Sequence, residues 1–247
     1  MISKNRVLVL DIETALMEAY VFKKGDQYIS HSQIKQDWFV LSWSAKWLGD
    51  PSSRLIYRDQ RHAKVLIDDS KSLFELSEIL NKADYVMTQN GKKFDLPKLI
   101  ARFMLNGIKP VRFLKHIDLY RELKGVGFTS HSLDYLTAKF CTKYKKLPHK
   151  KFPGMSLWIE CSKGNPEAWA EMKKYNNHDV LSTEELYEKT KRWLPKVTYE
   201  LEHPIPVCTK CGGRSFIKEG FRRCKNETYN RRYCKACGQL YKPEVSK

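Results

Sequence analysis

The sequence predicts an α/β domain, a sheet flanked by helices, followed by a small metal-stapled module. Three observations carry this reading. Short apolar strands alternate with helical patterns from Arg6 to Arg192, a stretch with three prolines runs from Leu194 to Pro206, and four of the seven cysteines fall in two pairs beyond it. A chain of 247 residues can bury one catalytic-sized core with length left for a small appendage. We place the boundary near Glu202, giving segments 1–202 and 203–247.

The run Arg6 to Leu10 (RVLVL) reads as a buried strand that ends at the acidic pair Asp11-Ile12-Glu13. Trp38 to Trp47 alternates apolar and small polar residues and predicts a second strand, with Arg54 to Tyr57 as a third, so that the three form a meander. Ser70 to Lys82 carries apolar residues at helical spacing. Asp84 to Thr88 is a short strand breaking into the loop Gln89 to Lys93, and a helix follows from Leu96 to Asn106. His116 to Leu119 is a further short strand, and Ser132 caps a helix that includes Leu133, Leu136 and Phe140. From Cys141 to Lys151 periodicity is lost, and Lys143, Lys145, Lys146, Lys150 and Lys151 cluster around Pro148. This predicts an exposed loop, either merely solvated or facing a substrate. Pro166 to Arg192 is the longest helical pattern, led by Asn165 and an early Pro, and it stops near Pro195.

Lys and Arg number 45 against 28 Asp and Glu, a net charge of +17, which suits a protein that neutralises phosphates. A membrane surface would accept such charge too. However, there is no run of about 18 apolar residues, and MISKNRVLVLDIET reads as a charged turn entering a strand, not a signal peptide. The expectation is a cytoplasmic protein with a nucleic-acid partner and no membrane. In that reducing setting paired cysteines argue for metal ligation, while Cys141, Cys161 and Cys224 read as inert thiols.

Alternation along an extended chain puts Asp11 and Glu13 on one side of their strand with Ile12 turned away. Two ionised carboxylates this close make sense mainly with a divalent cation between them, although a lone D-x-E is more often a solvated strand end. Asp95 closes Asn90-Gly91-Lys92-Lys93-Phe94-Asp95 at a strand-to-helix corner, where a helix N-cap is the competing role. Tyr175 and Asp179, four apart on the long helix, project from one face. His178 lies about 100° around that helix from Asp179 and reads as solvated. Phe94 reads as core, and Asp118 and Asp134 as strand-edge and helix-surface acids.

Together these blocks resemble the DEDD superfamily of 3′-5′ exonucleases: Asp11-x-Glu13, Asn90-x-x-x-Phe94-Asp95 and Tyr175-x-x-x-Asp179, in that order. Tyr stands four before the last Asp, and Lys174 occupies the place where the sister subclass has His. The pattern is therefore similar to the DEDDy branch, which includes the proofreading domains of B-family DNA polymerases. Ser132-Leu133-Asp134-Tyr135-Leu136 and the run YNNHDVLSTEELY from Tyr175 extend the likeness to stand-alone, often phage-encoded members, whose setting would be the host cytoplasm. It covers roughly Val7 to Pro195.

The resemblance implies a ribonuclease-H-like mixed sheet and hydrolysis of DNA or RNA from the 3′ end. It also implies two Mg²⁺ or Mn²⁺ ions about 3.5 to 4 Å apart. Asp11 would bridge both ions, Glu13 and Asp179 would complete the site that activates water, and Asp95 would support the second ion, partly through water. Tyr175 would orient the attacking water, since an ordinary pKa of about 10 makes it a poor base at neutral pH. Asn90 and Phe94, in the second block, are placed to touch the terminal nucleotide, with the core the stronger reading for Phe94, and Lys145 and Lys146 are candidate substrate contacts. A structure-specific endonuclease on the same fold and a catalytically weak nucleic-acid-binding adaptor are the alternatives.

In the tail, Cys208-Thr209-Lys210-Cys211 and Cys234-Lys235-Ala236-Cys237 form two C-x2-C knuckles separated by 22 residues, each followed by Gly. Four thiolates at this spacing predict one structural Zn²⁺ in a zinc ribbon that folds on its metal. From residue 201 on there are 11 basic and 4 acidic residues, a net of +7. Arg222, Arg223, Arg231 and Arg232, interleaved with Phe216, Phe221, Tyr229 and Tyr233, are candidate nucleic-acid contacts.

Overall fold

The computed structural model describes residues 5–111, 115–147, 151–202, 208, 210–213, 215–224 and 227–241, without the side chains of 199, 200, 202, 218, 221–224, 227–230 and 241. The chain divides into two compact units, one running from Arg6 to Leu201 and the other beginning at Glu202.

The larger unit starts with β1 (Val7–Thr14), β2 (Glu18–Ala19), β3 (Ile34–Gln36), β4 (Val40–Trp47) and β5 (Ile56–Asp59), followed by helix α1 (Ser70–Leu80). Next come β6 (Tyr85–Thr88), α2 (Asp95–Leu105), β7 (Lys115–Asp118), α3 (Leu119–Leu123) and α4 (Leu133–Phe140). It closes with α5 (Ser156–Ser162), α6 (Pro166–Thr190) and α7 (Pro195–Glu202). Five strands form a mixed sheet in the order β5-β4-β1-β6-β7, in which β1 is antiparallel to β4 and parallel to β6. The expected sheet with flanking helices is thus present, and the β1-β4-β5 meander with it.

Strand β1 does not end at the acidic pair. Asp11, Ile12 and Glu13 stay in register with Ser44, Trp43 and Ser42 of β4, so pairing carries the strand on to Thr14. Its alternation divides the core. Leu8, Leu10 and Ile12, with Trp43 and Ala45, pack under α1 and α2 around Leu73, Leu76, Leu99 and Phe103. The opposite face, where Asp11 and Glu13 point, is covered by α5 and α6 through Leu157, Cys161, Trp169 and Met172.

Helix α6 meets this face through polar groups because β4 offers small residues there. Ser42 Oγ donates to Asn176 Oδ1 (3.1 Å) and Ser44 Oγ to Asn177 Oδ1 (2.7 Å). Farther along, buried Lys46 donates to Glu184 at 2.8 Å, and the Gly49 N–H donates to the same carboxylate. Removing one partner of such a pair strands a buried charge, at a cost of about 3–5 kcal/mol. The predicted caps hold: Asn165 accepts from Glu167 N and Ala168 N at the start of α6, and Ser132 accepts from Tyr135 N at α4.

Several expectations are corrected. The proline-studded stretch contains α7, since Pro195 occupies a first-turn position where its missing N–H costs nothing. Helices α3 and α5 have no counterpart in the periodicity reading, being too short to repeat an apolar pattern. Pro148 and Lys150 of the basic loop lie outside the described residues.

The smaller unit holds an antiparallel sheet in the order β10-β9-β8, from β8 (Phe216–Cys224), β9 (Glu227–Cys234) and β10 (Leu240–Tyr241). Among the described residues no helix is long and apolar enough to cross a membrane.

Candidate metal centre and nucleic-acid interface

Three carboxylates converge where β1 passes under α6. Asp11, Glu13 and Asp179 each place an oxygen within 4.8 Å of the others. The strand supplies two of them through its period of two, and the helix supplies the third one turn after Tyr175. Asn176, buried next to Tyr175, fixes the junction: its Nδ2 donates to Asp11 Oδ2 (2.6 Å) and to the Asp11 carbonyl (3.2 Å), while its Oδ1 takes the Ser42 hydroxyl. Sequence reasoning missed Asn176. The available signal was an amide in mid-helix, where it is tolerated mainly with a specific partner.

Asp95 stands beside this group and not in it. It is the first residue of α2, and its Oδ1 accepts the Ile12 N–H (3.1 Å) from between the two strand acids. The N-cap role expected as its competitor is not what the buried side chain does. The corner that delivers it is tight. Asn90 adopts a left-handed φ of 65°, and a Cβ on Gly91 would collide with Thr88, so glycine is required there. Asp118 clamps the turn by accepting from Asn90 N (2.7 Å), Lys92 N (3.1 Å) and Tyr120 N (3.1 Å). It is a buried organiser of the second acidic block, whereas Asp134 stays on a helix surface as expected.

The electrostatics suit a cation. Burial lifts Glu13 to about 8, with Asp179 adding to it, and lifts Asp95 to about 7. Burial and the charges of Asp95, Asp179 and Glu13 hold Asp11 well above the usual carboxylate range. A divalent ion reverses that balance by favouring the ionised oxygens. The donor set, all hard oxygens, fits Mg²⁺ or Mn²⁺.

Lys146, from the loop expected to be either solvated or substrate-facing and itself a candidate substrate contact, turns inward to the acids. Its Nζ sits 2.8 Å from Asp179 Oδ2 and 4.9 Å from the centre of the Tyr175 ring. Burial alone would depress this amine, but the Asp179 carboxylate more than offsets that and keeps it charged. Lys145 is exposed. Tyr175 is buried, and desolvation with Asp179 nearby pushes its phenol up to about 12. Trp158 on α5 donates its Nε1–H to Glu13 Oε2 at 3.0 Å and meets the Tyr175 ring edge-on, with centroids 5.9 Å apart. Nothing in the sequence pattern pointed to Trp158, because α5 itself was not legible.

A cleft of about 460 Å³ opens onto these acids, lined by Asp11, Asn90, Tyr120, His131, Lys146 and Asp179 among others. Phe94, expected in the core, is 38% exposed, with its ring 5.4 Å from Lys98 Nζ. His178 is half-buried against Tyr144, its Nδ1 enclosed without a hydrogen bond among the described residues, and stands apart from the carboxylate group. Cys141 and Cys161 are buried thiols pushed up to about 12 by burial, in keeping with inert roles.

In the smaller unit Cys208, Cys211, Cys234 and Cys237 gather their sulfurs within 4.8 Å of one another. The two knuckles repeat one geometry: Gly212 N donates to Cys208 O and Gly238 N to Cys234 O, both at 2.8 Å, with left-handed φ of 70° and 69°. The Cys211 N–H holds the Cys208 thiol down at about 6, favouring the thiolate a metal needs. This donor set is compatible with Zn²⁺ in a closed structural site. Arg231 is exposed with its guanidinium 5.9 Å from the Tyr233 ring, and Arg232 is half-buried. The side chains of Arg222, Arg223 and Cys224 lie outside the described residues.

Residues 53–191, more than half of the chain, match the model of the RNase_H superfamily. The matched span holds Asp95, Tyr175 and Asp179 and begins after Asp11 and Glu13. No curated protein matches the chain. Among solved structures it is similar to the family B DNA polymerase from the hyperthermophilic archaeon Pyrobaculum calidifontis, with a TM-score of 0.53 and 16% identity. That likeness covers 76% of this chain and 25% of the polymerase, so the chain spans about a quarter of that protein, and it is a likeness of fold.

Proposed function

The chain belongs to the RNase_H superfamily, and from that premise we propose that it is a 3′-5′ exonuclease of the DEDDy type, hydrolysing phosphodiester bonds of DNA or RNA. The observation that carries this reading is the convergence of Asp11 and Glu13 from β1 with Asp179 from α6, Tyr175 lying one turn before it. Asp11, Glu13 and Asp179 would hold the divalent ions directly, and Asp95, set back behind Ile12 N–H, would contribute through water. When bound, two such ions activate the attacking water and stabilise the leaving oxygen.

The chain's own residues do the rest. Asn176 fixes the Asp11 carboxylate, and Lys146 balances charge at Asp179. With its phenol pushed up to about 12, Tyr175 positions water by hydrogen bonding and does not act as a base. Asn90 and the cleft beside it receive the terminal nucleotide. Segment 203–247 acts as a second domain, a zinc ribbon whose basic residues add affinity for nucleic acid. The site of action is the cytoplasm.

The test compares end-labelled free-ended, 3′-blocked and circular substrates, in DNA and RNA forms, with Mg²⁺ and with Mn²⁺. Mononucleotide release from free 3′ ends alone is the expected result. Cleavage of circles would replace it with an endonuclease, and binding without turnover would replace it with an adaptor.

A further inference from the structure

We propose that Trp158 is a positioning residue for the metal centre, holding Glu13 with a hydrogen bond from an uncharged donor while its ring braces Tyr175. The proposal rests on the metal-centre reading above. Two contacts carry it: Trp158 Nε1 to Glu13 Oε2 at 3.0 Å, and the edge-on Trp158–Tyr175 pair with an interplanar angle of 80°. Helix α5 gives the indole a rigid base, because its neighbours Leu157 and Cys161 are fully buried in the core beneath α6 with Trp169 and Met172.

The chemistry of the donor matters. Lys146 also stabilises ionised carboxylate in this site, but its positive charge opposes a metal cation. An indole N–H occupies one Glu13 oxygen, lowers the cost of the ionised form and brings no competing charge. Among the described residues no hydrogen bond falls on the other oxygen, which would serve a ligand. A partner of this kind sets the orientation of a carboxylate ligand, and its loss typically weakens metal binding 10- to 100-fold. Through Tyr175 the same side chain ties the water-positioning phenol to the ligand it must serve.

The experiment titrates Mn²⁺ into the zinc-loaded full-length chain by calorimetry, in the natural protein, in Trp158→Phe and in Asp11→Ala. Phe keeps a ring against Tyr175 and removes the donor, so a rise in Kd on the order of tenfold is expected. In parallel, the indole N–H resonances of the natural protein are followed during Mg²⁺ addition. One of the six tryptophans should respond, and Asp11→Ala should abolish that response, a readout that needs no Trp158 variant to fold. Unchanged Mn²⁺ affinity in Trp158→Phe, or six indole signals indifferent to Mg²⁺, removes the positioning role alone. A natural isotherm that Asp11→Ala leaves untouched takes down the metal-centre reading and this role together.

Discussion

The chain carries two clusters of metal-ligating side chains, and they are built in opposite ways. The carboxylate group is assembled from Asp11 and Asp179, far apart in sequence, on a strand and a helix tied together by Asn176, while Lys46 and Glu184 tie that helix to the neighbouring strand β4. The thiol group comes from two four-residue knuckles, each shaped by its own N–H to carbonyl bonds, at the end of a three-stranded sheet. Like charges in the first are held together by a core that folds for other reasons. A module as small as the second shows no comparable core among its described residues, so its ligand set and its fold are one problem. The difference teaches that a metal at the first site would be a guest of a fold already made, whereas at the second it would take part in the folding.

The largest effect should fall on catalysis. Asp11→Ala is expected to lower nuclease turnover by at least about 10²-fold, whereas Tyr175→Phe keeps measurable Mn²⁺-supported cleavage. Equal residual rates in the two purified variants would contradict this division of labour.

Metal removal comes next. A strong chelator should unfold the segment after Glu202 while α6 and the five-stranded sheet persist, read by hydrogen exchange along the chain. Loss of protection in both units at once would mean that the carboxylate site is no guest. Third, Glu184→Ala leaves Lys46 buried without its carboxylate, and denaturant unfolding of the larger unit should show a loss of about 3–5 kcal/mol.

A subtler test uses pH. Glu13 at about 8 and Asp95 at about 7 lie above their unfolded values, so between those limits the folded unit binds more protons than the unfolded chain. Stability of the metal-free unit therefore falls as pH rises toward 8 and is regained on acidification into the ordinary carboxylate range. Unfolding midpoints at several pH values should show that fall, and saturating Mg²⁺ should flatten it. The smallest effect is expected of the tail. Deleting residues after Glu202 should raise KM and reduce its salt dependence, and an unchanged salt slope would take the ribbon out of substrate binding.

Much of this was legible before any coordinates. The strands at Val7, Val40 and Tyr85 and the long helix from Pro166 follow from periodicity and caps, which are local. Asp11, Glu13 and Asp179 were readable because a period of two and a spacing of four put carboxylates on known faces, and because the three acidic blocks together resemble the DEDD exonucleases. Phe94 misled because an aromatic residue carries no mark of which side of a corner it takes. Lys146 was named only as a candidate substrate contact, because a basic loop gives no hint which of its lysines turns inward to the acids.

By itself the sequence determined the longer elements, the shared face of Asp11 and Glu13, and where the two thiol knuckles lie, since each depends on residues within a few turns of one another. Only the tertiary structure decided that Asp95 stands back behind Ile12 N–H, that Asn176 and Trp158 hold the acids, and that Lys146 joins them. Those partners lie tens to well over a hundred residues apart, and which of them meet is set by the packing of whole helices on the sheet.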